Sequence, residues 1–353
     1  MSTNDIRVIE GPEAWHGSEL AEDSRWRVYL DDSDIAELES ALQNAKERGL
    51  AWRDMKEASD FPLKRFSEKL AMVSAELEDG CGLVNIKGFP VDRFDDEDIN
   101  RVWYGIALNL GTPIYQNYRG ELLRDIIDEQ QDTDAANNNR LFAKDGSVFH
   151  SSRARTASNG PLRFHTDRAD VVGLFCVRQA AAGGLSKIAS SVRVNNEIVK
   201  RRPDLAALLY DVVYRSRHGE EKDGSQNIYG IPVFGVRDGK FTSHYSRTYV
   251  EAAQELDSVP EMSDAQWEAL DLLAEVAEEV CMEMMFEPGD IQLINNHVIY
   301  HARTAYEDAP EGGRCLKRIW LSMPNSRALP EDQSILWRNV DAGALRGGIV
   351  QAS

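Results

Sequence analysis

Hydrophobic residues recur at helical spacing in several long stretches of the chain. The spacing predicts helices over residues 32–48, 63–77, 95–110, 194–210 and 263–286, and Pro203 interrupts the fourth of them. In the clearest helix, 263–286, Leu270, Leu273 and Val280 share one face, and Ser263 with Gln266 fits a capping box. The first two helices are expected to cover a sheet.

Short segments of alternating or continuous apolar character predict strands between these helices. They end at Gly, Pro or Asp-Gly turns and cover residues 82–90, 171–177, part of 180–191, 211–217, 230–237, 240–245, 291–296 and 318–323. Many short strands with one inserted helix and flanking helices indicate a mixed α+β chain with a mainly β core. The predicted architecture is a double-stranded β-helix, or jelly roll, with helical additions.

The chain shows no repeat period and no convincing linker, so we predict a single domain over residues 1–353. Residues 1–80 are expected to form an N-terminal helical arm packed on the core, beginning with a polar surface segment over residues 1–30. The core is expected over 82–324, followed by a C-terminal tail over 325–353. Within the core, 119–162 is polar and weakly periodic, which is typical of a lid or of a variable surface insertion.

Composition and charge narrow the class of protein. The chain has 353 residues, 42% of them hydrophobic, and a formal net charge of −19, which disfavours a nucleic-acid partner. Its four cysteines are scattered without a CxxC pair, as in a reduced protein without a disulfide framework. The N-terminus lacks an apolar signal segment and no run reaches the roughly 18 apolar residues of a membrane span. A cytoplasmic protein without membrane contact is expected, and the sequence is compatible with a homo-oligomer.

Candidate chemistry centres on His165 and Asp167, which lie two residues apart in a predicted strand. Both side chains therefore point to the same face. A histidine and a carboxylate make up two thirds of the facial triad of non-haem Fe(II) oxygenases. A second histidine follows the predicted strand 291–296, where both His297 and His301 are candidates. A distant strand can supply the third ligand inside a small barrel.

In its motifs the sequence resembles the Fe(II)/2-oxoglutarate-dependent dioxygenases of the taurine dioxygenase and clavaminate synthase-like family. The resemblance runs from about residue 82 to 323 and rests on His165-x-Asp167, Gly183-Gly184-x-Ser186, Asn296-x4-His301 and Arg314-x3-Arg318. It implies that His165, Asp167 and His301 bind iron, and the Asn-x4-His spacing selects His301 over His297. It further implies that Arg314 holds the distal carboxylate of 2-oxoglutarate with the hydroxyl of Ser186, and that Arg318 is the second arginine, beside the iron.

The residue types suit these implied roles. Three protein ligands on one face leave three iron positions open, two for a chelating 2-oxo acid and one for O2. Arginine binds a buried carboxylate with a planar fork and keeps its charge. The resemblance implies oxidation of a substrate C–H bond, by hydroxylation or desaturation, with decarboxylation of 2-oxoglutarate to succinate and CO2. Halogenation is not expected, because related halogenases lack the carboxylate that Asp167 provides.

The substrate is the least constrained feature. Gln116, Asn117, Arg247, Tyr249 and Arg318 are candidate substrate residues, and an amino acid or small carboxylate is the expected substrate class. Pro161 stands four residues before His165, where taurine dioxygenase has an asparagine that contacts its substrate, which argues against a sulfonate.

Each of the other candidates has a structural alternative. Ser186 could cap a turn, Arg314 could form an ion pair at a strand edge, and Arg303 could pair with a nearby acid. His150, His218 and His244 are expected at the surface or hydrogen-bonded in the core. Two other functions stay open on the sequence: a metal-dependent cupin-like enzyme that uses no 2-oxoglutarate, and a non-catalytic jelly-roll binding protein.

Overall fold

The computed structural model of the chain describes residues 6–129, 141–142, 148–149, 155–216 and 228–349. The described helices are α1 (Gly17–Glu22), α2 (Asp32–Glu47), α3 (Arg65–Asp79), α4 (Asp96–Leu110), α5 (Ser191–Arg201), α6 (Pro203–Leu209), α7 (Arg247–Gln254), α8 (Asp264–Val280) and α9 (Ser334–Trp337). The strands up to the first metal candidate are β1 (Arg27–Tyr29), β2 (Leu83–Lys87), β3 (Thr112–Ile114), β4 (Leu123–Ile126), β5 (Leu141–Phe142), β6 (Val148–Phe149) and β7 (Leu162–His165). Those that follow are β8 (Val171–Arg178), β9 (Ala182–Gly183), β10 (Ser186–Ser190), β11 (Val213–Ser216), β12 (Ile228–Ile231), β13 (Phe234–Arg237), β14 (Lys240–Ser243), β15 (Met282–Met284), β16 (Ile291–Asn295), β17 (Ile299–Arg303), β18 (Tyr306–Glu307) and β19 (Cys315–Ser322).

Two sheets carry the architecture. The larger has seven strands in the order β1-β2-β16-β8-β19-β3, with β4 also paired to β19, and the smaller has the order β15-β10-β17-β7. Every pairing in these two sheets is antiparallel except β1 with β2. Because consecutive side chains alternate between the faces of a strand, each sheet can present apolar residues to a core.

Two hydrophobic cores lie against the large sheet. Helices α2, α3 and α4 pack Leu38, Phe66 and Trp103 against Val84 and Ile291, among other buried residues. A second core joins the small sheet with α5, α6 and α8, which bury the apolar faces that their sequences predicted. The coarse prediction of a mixed chain with a predominantly β core is therefore confirmed.

The predicted helix 263–286 is too long at its C-terminal end. Ser263 caps α8 through the predicted capping box with Gln266, but the helix ends at Val280. Residues Met282–Met284 instead form β15, in which Met284 pairs with Ser186 of β10. Strand pairing with the small sheet overrides the helical propensity of this Met- and Glu-rich segment.

Both ends of the chain are built into the fold more closely than the sequence suggested. Within the predicted surface segment 1–30, Trp15 and Trp26 are buried and β1 extends the large sheet. In the predicted tail 325–353, Trp337 and Arg346 are buried. These side chains are buried by residues that are distant in sequence, so local periodicity does not predict their burial.

The predicted lid 119–162 is described only in part. Its first strand, β4, pairs with β19 of the large sheet, and its last residue begins β7 of the small sheet. Residues 130–140, 143–147 and 150–154 lie outside the described part of the chain. In that part, no helix is both long and apolar enough to cross a bilayer.

Candidate metal centre and anion pocket

Neighbouring strands bring together the three residues predicted to bind metal. His165 at the end of β7 stands directly opposite His301 of β17, with imidazole centroids 4.1 Å apart. Asp167 follows β7 and places Oδ1 3.9 Å from Nε2 of His165 and Oδ2 3.8 Å from Nε2 of His301. A group of potential ligand atoms from these three side chains lies within 4.8 Å of one another.

The two imidazoles have the chemistry of metal ligands. Nδ1 of His165 lies 2.9 Å from the carbonyl oxygen of Arg163. Because a carbonyl can only accept, Nδ1 carries the proton and Nε2 keeps its lone pair free for a metal. Burial, followed by the neighbouring His165, lowers the pKa of His301 to about 3. His301 is therefore neutral at physiological pH, as a metal ligand must be.

Asp167 is fixed by three surrounding side chains. Its backbone N–H donates to Oδ1 of Asn296 at 3.1 Å, and its Oδ2 accepts from Nε1 of Trp320 at 2.9 Å. Nη1 of Arg318 lies 3.4 Å from the same oxygen. Burial alone would raise the pKa of Asp167, but its polar neighbours, above all the charge of Arg318, outweigh burial, and the pKa is lowered. The carboxylate is therefore ionised and oriented before any metal arrives.

This donor set fits iron. Two imidazoles and one carboxylate on one side of a site form the facial triad of Fe(II) oxygenases. Each of the three side chains offers a ligand atom within 4.8 Å of the other two, so together they would hold a single ion. The partners of Asp167 and His165 supply the outer hydrogen bonds that metal ligands require.

Ser186 and Arg314 line the pocket that contains the two histidines. Arg314 is buried, and Nη1 of its guanidinium has no hydrogen-bond partner. No carboxylate among the described residues forms an ion pair with it, so the predicted alternative of a strand-edge ion pair is not observed there. Burial lowers the pKa of Arg314. The hydroxyl of Ser186 is buried beside Oε1 of Gln292 at 3.2 Å. A buried, uncompensated guanidinium of this kind is suited to an incoming carboxylate.

Arg318 lies on the metal side of the same pocket. Its Nε donates to Oε1 of Gln116 at 2.7 Å, and Nε2 of Gln116 returns a bond to the carbonyl of Arg318 at 2.9 Å. Gln116 is buried, and its amide is engaged by Arg318 and the backbone. The structure thus shows Gln116 hydrogen-bonded to Arg318, and its contact with substrate stays a prediction.

The structure does not bring the remaining substrate candidates to this pocket. Arg247 pairs with Glu251 and Asp271 and stacks on Trp267 of α8, which accounts for its guanidinium. Asn117 is bonded to Glu121 within its own turn. Tyr249 lies half-buried on α7 and is not among the residues that line the pocket.

Among the described residues, the other histidines lie outside the metal cluster. His297 is buried and bonded to Asp170 and Thr242. His244 is hydrogen-bonded in the core to Tyr229 and Thr166. His150 and His218 fall outside the described residues.

Several residues of the site were missed in the sequence. Trp320 follows Arg318 by two positions in β19, so a search for same-face neighbours of the arginine would have found it. Gln292 and Tyr306 carry no motif that points to the site. Their positions depend on strand register and on a turn, which local patterns do not encode.

Residues 50–320 match the family described as taurine catabolism dioxygenase TauD, TfdA family. The chain is 28% identical over 335 residues to FR-33289 synthase of Streptomyces rubellomurinus, covering 93% of this chain and 94% of that protein. It is 27% identical over 329 residues to the taurine hydroxylase-like protein SAT17 of Stachybotrys chartarum, covering 92% and 80%.

Solved structures share the fold. An asparagine oxygenase in complex with Fe(II), 3-hydroxyasparagine and succinate aligns with a TM-score of 0.61 at 16% identity, covering 91% of this chain and 100% of its own. The non-haem iron oxygenase OrfP in complex with Fe and alpha-ketoglutaric acid aligns with a TM-score of 0.58 at 15% identity, covering 90% and 99%.

Proposed function

We propose, from the premise that the chain belongs to the taurine catabolism dioxygenase TauD, TfdA family, that it hydroxylates an amino acid or similar small carboxylate. As a member of this family the chain is an Fe(II)- and 2-oxoglutarate-dependent oxygenase, with O2 as second co-substrate. This assignment selects the oxygenase over the cupin-like enzyme without 2-oxoglutarate and over the non-catalytic binding protein.

His165, Asp167 and His301 would hold the iron, which when bound supplies the redox chemistry that activates O2. The protein's own contribution is preorganisation. Arg163, Asn296 and Trp320 hold two of the ligands by hydrogen bonds of 2.9, 3.1 and 2.9 Å. Such hydrogen-bond partners set the orientation and basicity of metal ligands, so the three side chains would be held in place for the metal.

One observation carries the proposal for the co-substrate. A buried guanidinium with an unpartnered Nη1, that of Arg314, shares one pocket with the metal histidines and with Ser186. The distal carboxylate of 2-oxoglutarate would receive a planar donor fork from Arg314 and a hydroxyl from Ser186. Apolar residues of the same pocket, such as Leu174, Phe286 and Leu316, would exclude water from the bound chain.

The substrate proposal rests on charge and on relatives. Arg318 lines the pocket beside Asp167, and Gln116 holds its orientation, so it can receive a carboxylate next to the metal. The solved structures with this fold include an asparagine oxygenase and an OrfP complex with hydroxylated arginine. A small molecule with an amino acid backbone is the class that we propose, with hydroxylation as the reaction.

We extend the proposal to the organisation of the chain. The two sheets would form the two halves of a double-stranded β-helix within one domain of residues 1–353, and 119–162 would act as a lid over the pocket. We also propose a cytoplasmic location and a small-molecule substrate as the main partner.

The proposed function is tested by anaerobic titration of the purified protein with Fe(II) and 2-oxoglutarate. The expected result is a visible charge-transfer band in the wild type that is lost or strongly weakened in Arg314→Met. Arg178→Met is the matched control, because Arg178 is an exposed arginine on β8 whose strand partner is Cys315, the neighbour of Arg314. It should leave the band unchanged.

A screen for succinate release over the common amino acids and small carboxylates then addresses the substrate. At least one amino acid should raise succinate release above the substrate-free level, with a product heavier by one oxygen atom. Folded wild-type protein without a charge-transfer band would overturn the proposed co-substrate. A band without stimulation by any amino acid or small carboxylate would overturn the proposed substrate class alone.

A further inference from the structure

A cluster of buried polar atoms without hydrogen-bond partners lies around the ring of Tyr306, next to the pocket that Arg303 and Arg314 line. Nε and Nη1 of Arg303, Nη1 of Arg314 and the hydroxyl of Tyr306 are all buried without a hydrogen-bond partner. An unmade hydrogen bond to a buried polar group costs roughly 1–3 kcal/mol, and more for a charged one. Four such atoms in one place therefore indicate a ligand that satisfies them.

Strand register places Arg303 at the co-substrate end of the pocket. Arg303 stands directly opposite Ser186 in the pairing of β10 with β17. It is two residues beyond His301, so both side chains lie on the same face of β17, and both line the pocket. Cross-strand partners have Cβ atoms about 5 Å apart, which puts Arg303 beside the hydroxyl proposed to bind the distal carboxylate.

Arg303 and Arg314 share one aromatic ring. Their guanidinium carbons lie 4.7 and 5.2 Å from the centroid of Tyr306. Gly184 approaches the same group, and a Cβ atom there would meet Nε of Arg314 at 3.2 Å and Cβ of Tyr306 at 3.3 Å. The ring therefore fixes two cations in a confined space, where attraction to the π face offsets part of their repulsion.

The two positive charges are not neutralised within the described part of the chain. Two carboxylates lie nearby: Asp308 accepts the backbone N–H of Arg314 at 2.6 Å, and Asp128 lies near enough to act on the charge of Arg303. Among the described residues, no ion pair joins either carboxylate to the guanidinium of Arg303 or Arg314. The salt bridge that the sequence offered as an explanation of Arg303 is therefore not observed there, and an anion is the missing component.

A purely structural role accounts for only part of Arg303. Its Nη2 donates to the carbonyl oxygens of Ser158 and Gly160, both at 2.6 Å, and so ties the segment that leads into β7 to the strand of His301. Backbone tethering uses this one nitrogen. It leaves Nε, Nη1 and the positive charge without a function.

We propose that Arg303 is a positioning residue for the co-substrate, which together with Arg314 makes the pocket select 2-oxo acids that carry a second carboxylate. The inference rests on the proposed use of 2-oxoglutarate and adds a residue to it. The carboxylate binds Arg314, and its charge relieves the repulsion between the two guanidiniums. Arg303 thus contributes to affinity through the distal charge of the ligand, with no part in chelation of the metal.

The test compares two ligands with the same five-carbon chain. 2-Oxoglutarate has a second carboxylate, and 2-oxopentanoate lacks it. Binding of each to anaerobic, Fe(II)-loaded protein is followed by the charge-transfer band, and thermal unfolding of the metal-free protein with added 2-oxoglutarate gives a second readout. Arg303→Met should raise the Kd for 2-oxoglutarate by roughly 10- to 100-fold, the value of an interaction with a charged group. Its Kd for 2-oxopentanoate should change by less than about threefold.

Arg303→Lys keeps the charge without the planar fork, so its loss should be smaller and still confined to 2-oxoglutarate. If Arg303→Met does not fold, the binding of both ligands to Arg303→Lys is the measurement that decides. Equal weakening of both ligands would assign Arg303 to the tethering of residues 158–160 alone, and unchanged binding of both would also overturn the proposal. A wild type that binds neither 2-oxo acid would instead overturn the proposed function, so the two failures are distinguishable.

Discussion

His165 and His301 face each other as partners on neighbouring antiparallel strands, with their imidazole centroids 4.1 Å apart. The register of β7 against β17 thus sets the spacing of the two proposed metal ligands. Asp167 completes the triad just after β7, where Asn296 holds its backbone. A site built on paired strands is more precise than one built on free loops.

Substitution of the second histidine should separate the two candidates that the sequence offered. His301→Ala removes a ligand, so Fe(II) affinity should fall by more than about 100-fold, beyond the usual effect of outer-shell changes. His297→Gln should keep Fe(II) affinity within about tenfold, because His297 is bonded to Asp170 and Thr242, away from the triad. Equilibrium dialysis with Fe(II) under anaerobic conditions measures both. The reverse order of effects would show that His297 is the ligand.

The grouping of His165, Asp167 and His301 could be predicted from the sequence because short local motifs mark these residues. The His165-x-Asp167 pair needs only the alternation of a strand, and Asn296-x4-His301 follows a strand with a clear apolar pattern. The helices were predictable for a similar reason, since their apolar faces and caps are local. Helix α8 was mispredicted only where β15 begins, because pairing with β10 is a tertiary interaction.

The pocket beyond the metal was less predictable. Arg303 and Ser186 become neighbours through the register of two strands that are far apart in sequence. Gln116 likewise meets Arg318 just beyond the pairing of β3 with β19. Arg247 is a substrate candidate in the sequence, and the structure shows its guanidinium paired with Glu251 and Asp271. A sequence shows which charges exist. The fold decides which of them are neutralised.

Gly184 offers a test of the co-substrate pocket that removes no polar group from it. Its φ is +70°, and an added Cβ would meet Nε of Arg314 at 3.2 Å. Gly184→Ala should therefore displace the guanidinium and raise the Kd for 2-oxoglutarate by roughly tenfold, about 1.4 kcal/mol.

Gly49→Ala is the matched control, because Gly49 has a φ of +69° with nothing within 4 Å of its Cβ position. Both should lose about 1 kcal/mol of stability to backbone strain, but the control should bind 2-oxoglutarate normally. Equal Kd values for the two variants would contradict this account of the pocket.

The metal-free protein should lose stability as the pH falls below neutrality. Burial lowers the pKa of His301 to about 3 in the folded state, whereas an unfolded histidine titrates near 6.5. Between these values the unfolded chain binds a proton that the folded chain excludes, so protons favour unfolding by up to about 1.4 kcal/mol per pH unit. Urea unfolding of wild type and His301→Gln isolates this effect, because His244 and His297 contribute to both. Between pH 6.5 and 5 the wild type should lose about 2 kcal/mol more than the variant. Parallel pH profiles would show that His301 keeps its ordinary pKa.

The last prediction concerns the C-terminal residues, which pack behind the metal carboxylate. Arg346 is fully buried, and its Nε donates to Oδ1 of Asp170 at 2.7 Å. The same carboxylate oxygen accepts a hydrogen bond from Nε2 of His297 at 2.8 Å. Gly348 adds a backbone bond of 2.7 Å to the carbonyl of Arg168, the residue after Asp167. The C-terminal segment therefore reaches both ends of the turn that follows Asp167.

Removal of the Arg346 charge should weaken folding and metal binding together. Arg346→Met leaves the buried carboxylate of Asp170 without its guanidinium partner, which should cost about 3–5 kcal/mol in the free energy of unfolding. Because the turn that follows Asp167 would lose its hydrogen bond to Arg346, Fe(II) affinity of the folded variant should fall roughly 10-fold, as for a residue that supports a metal ligand.

Arg338→Met is the control, since Arg338 bonds the carbonyl of Gly347 in the same segment but makes no contact with Asp170. Urea unfolding and Fe(II) dialysis are measured on both variants. Destabilisation of Arg346→Met with unchanged iron affinity would mean that β7 and Asn296 alone hold Asp167, and that the C-terminal segment serves only the stability of the fold.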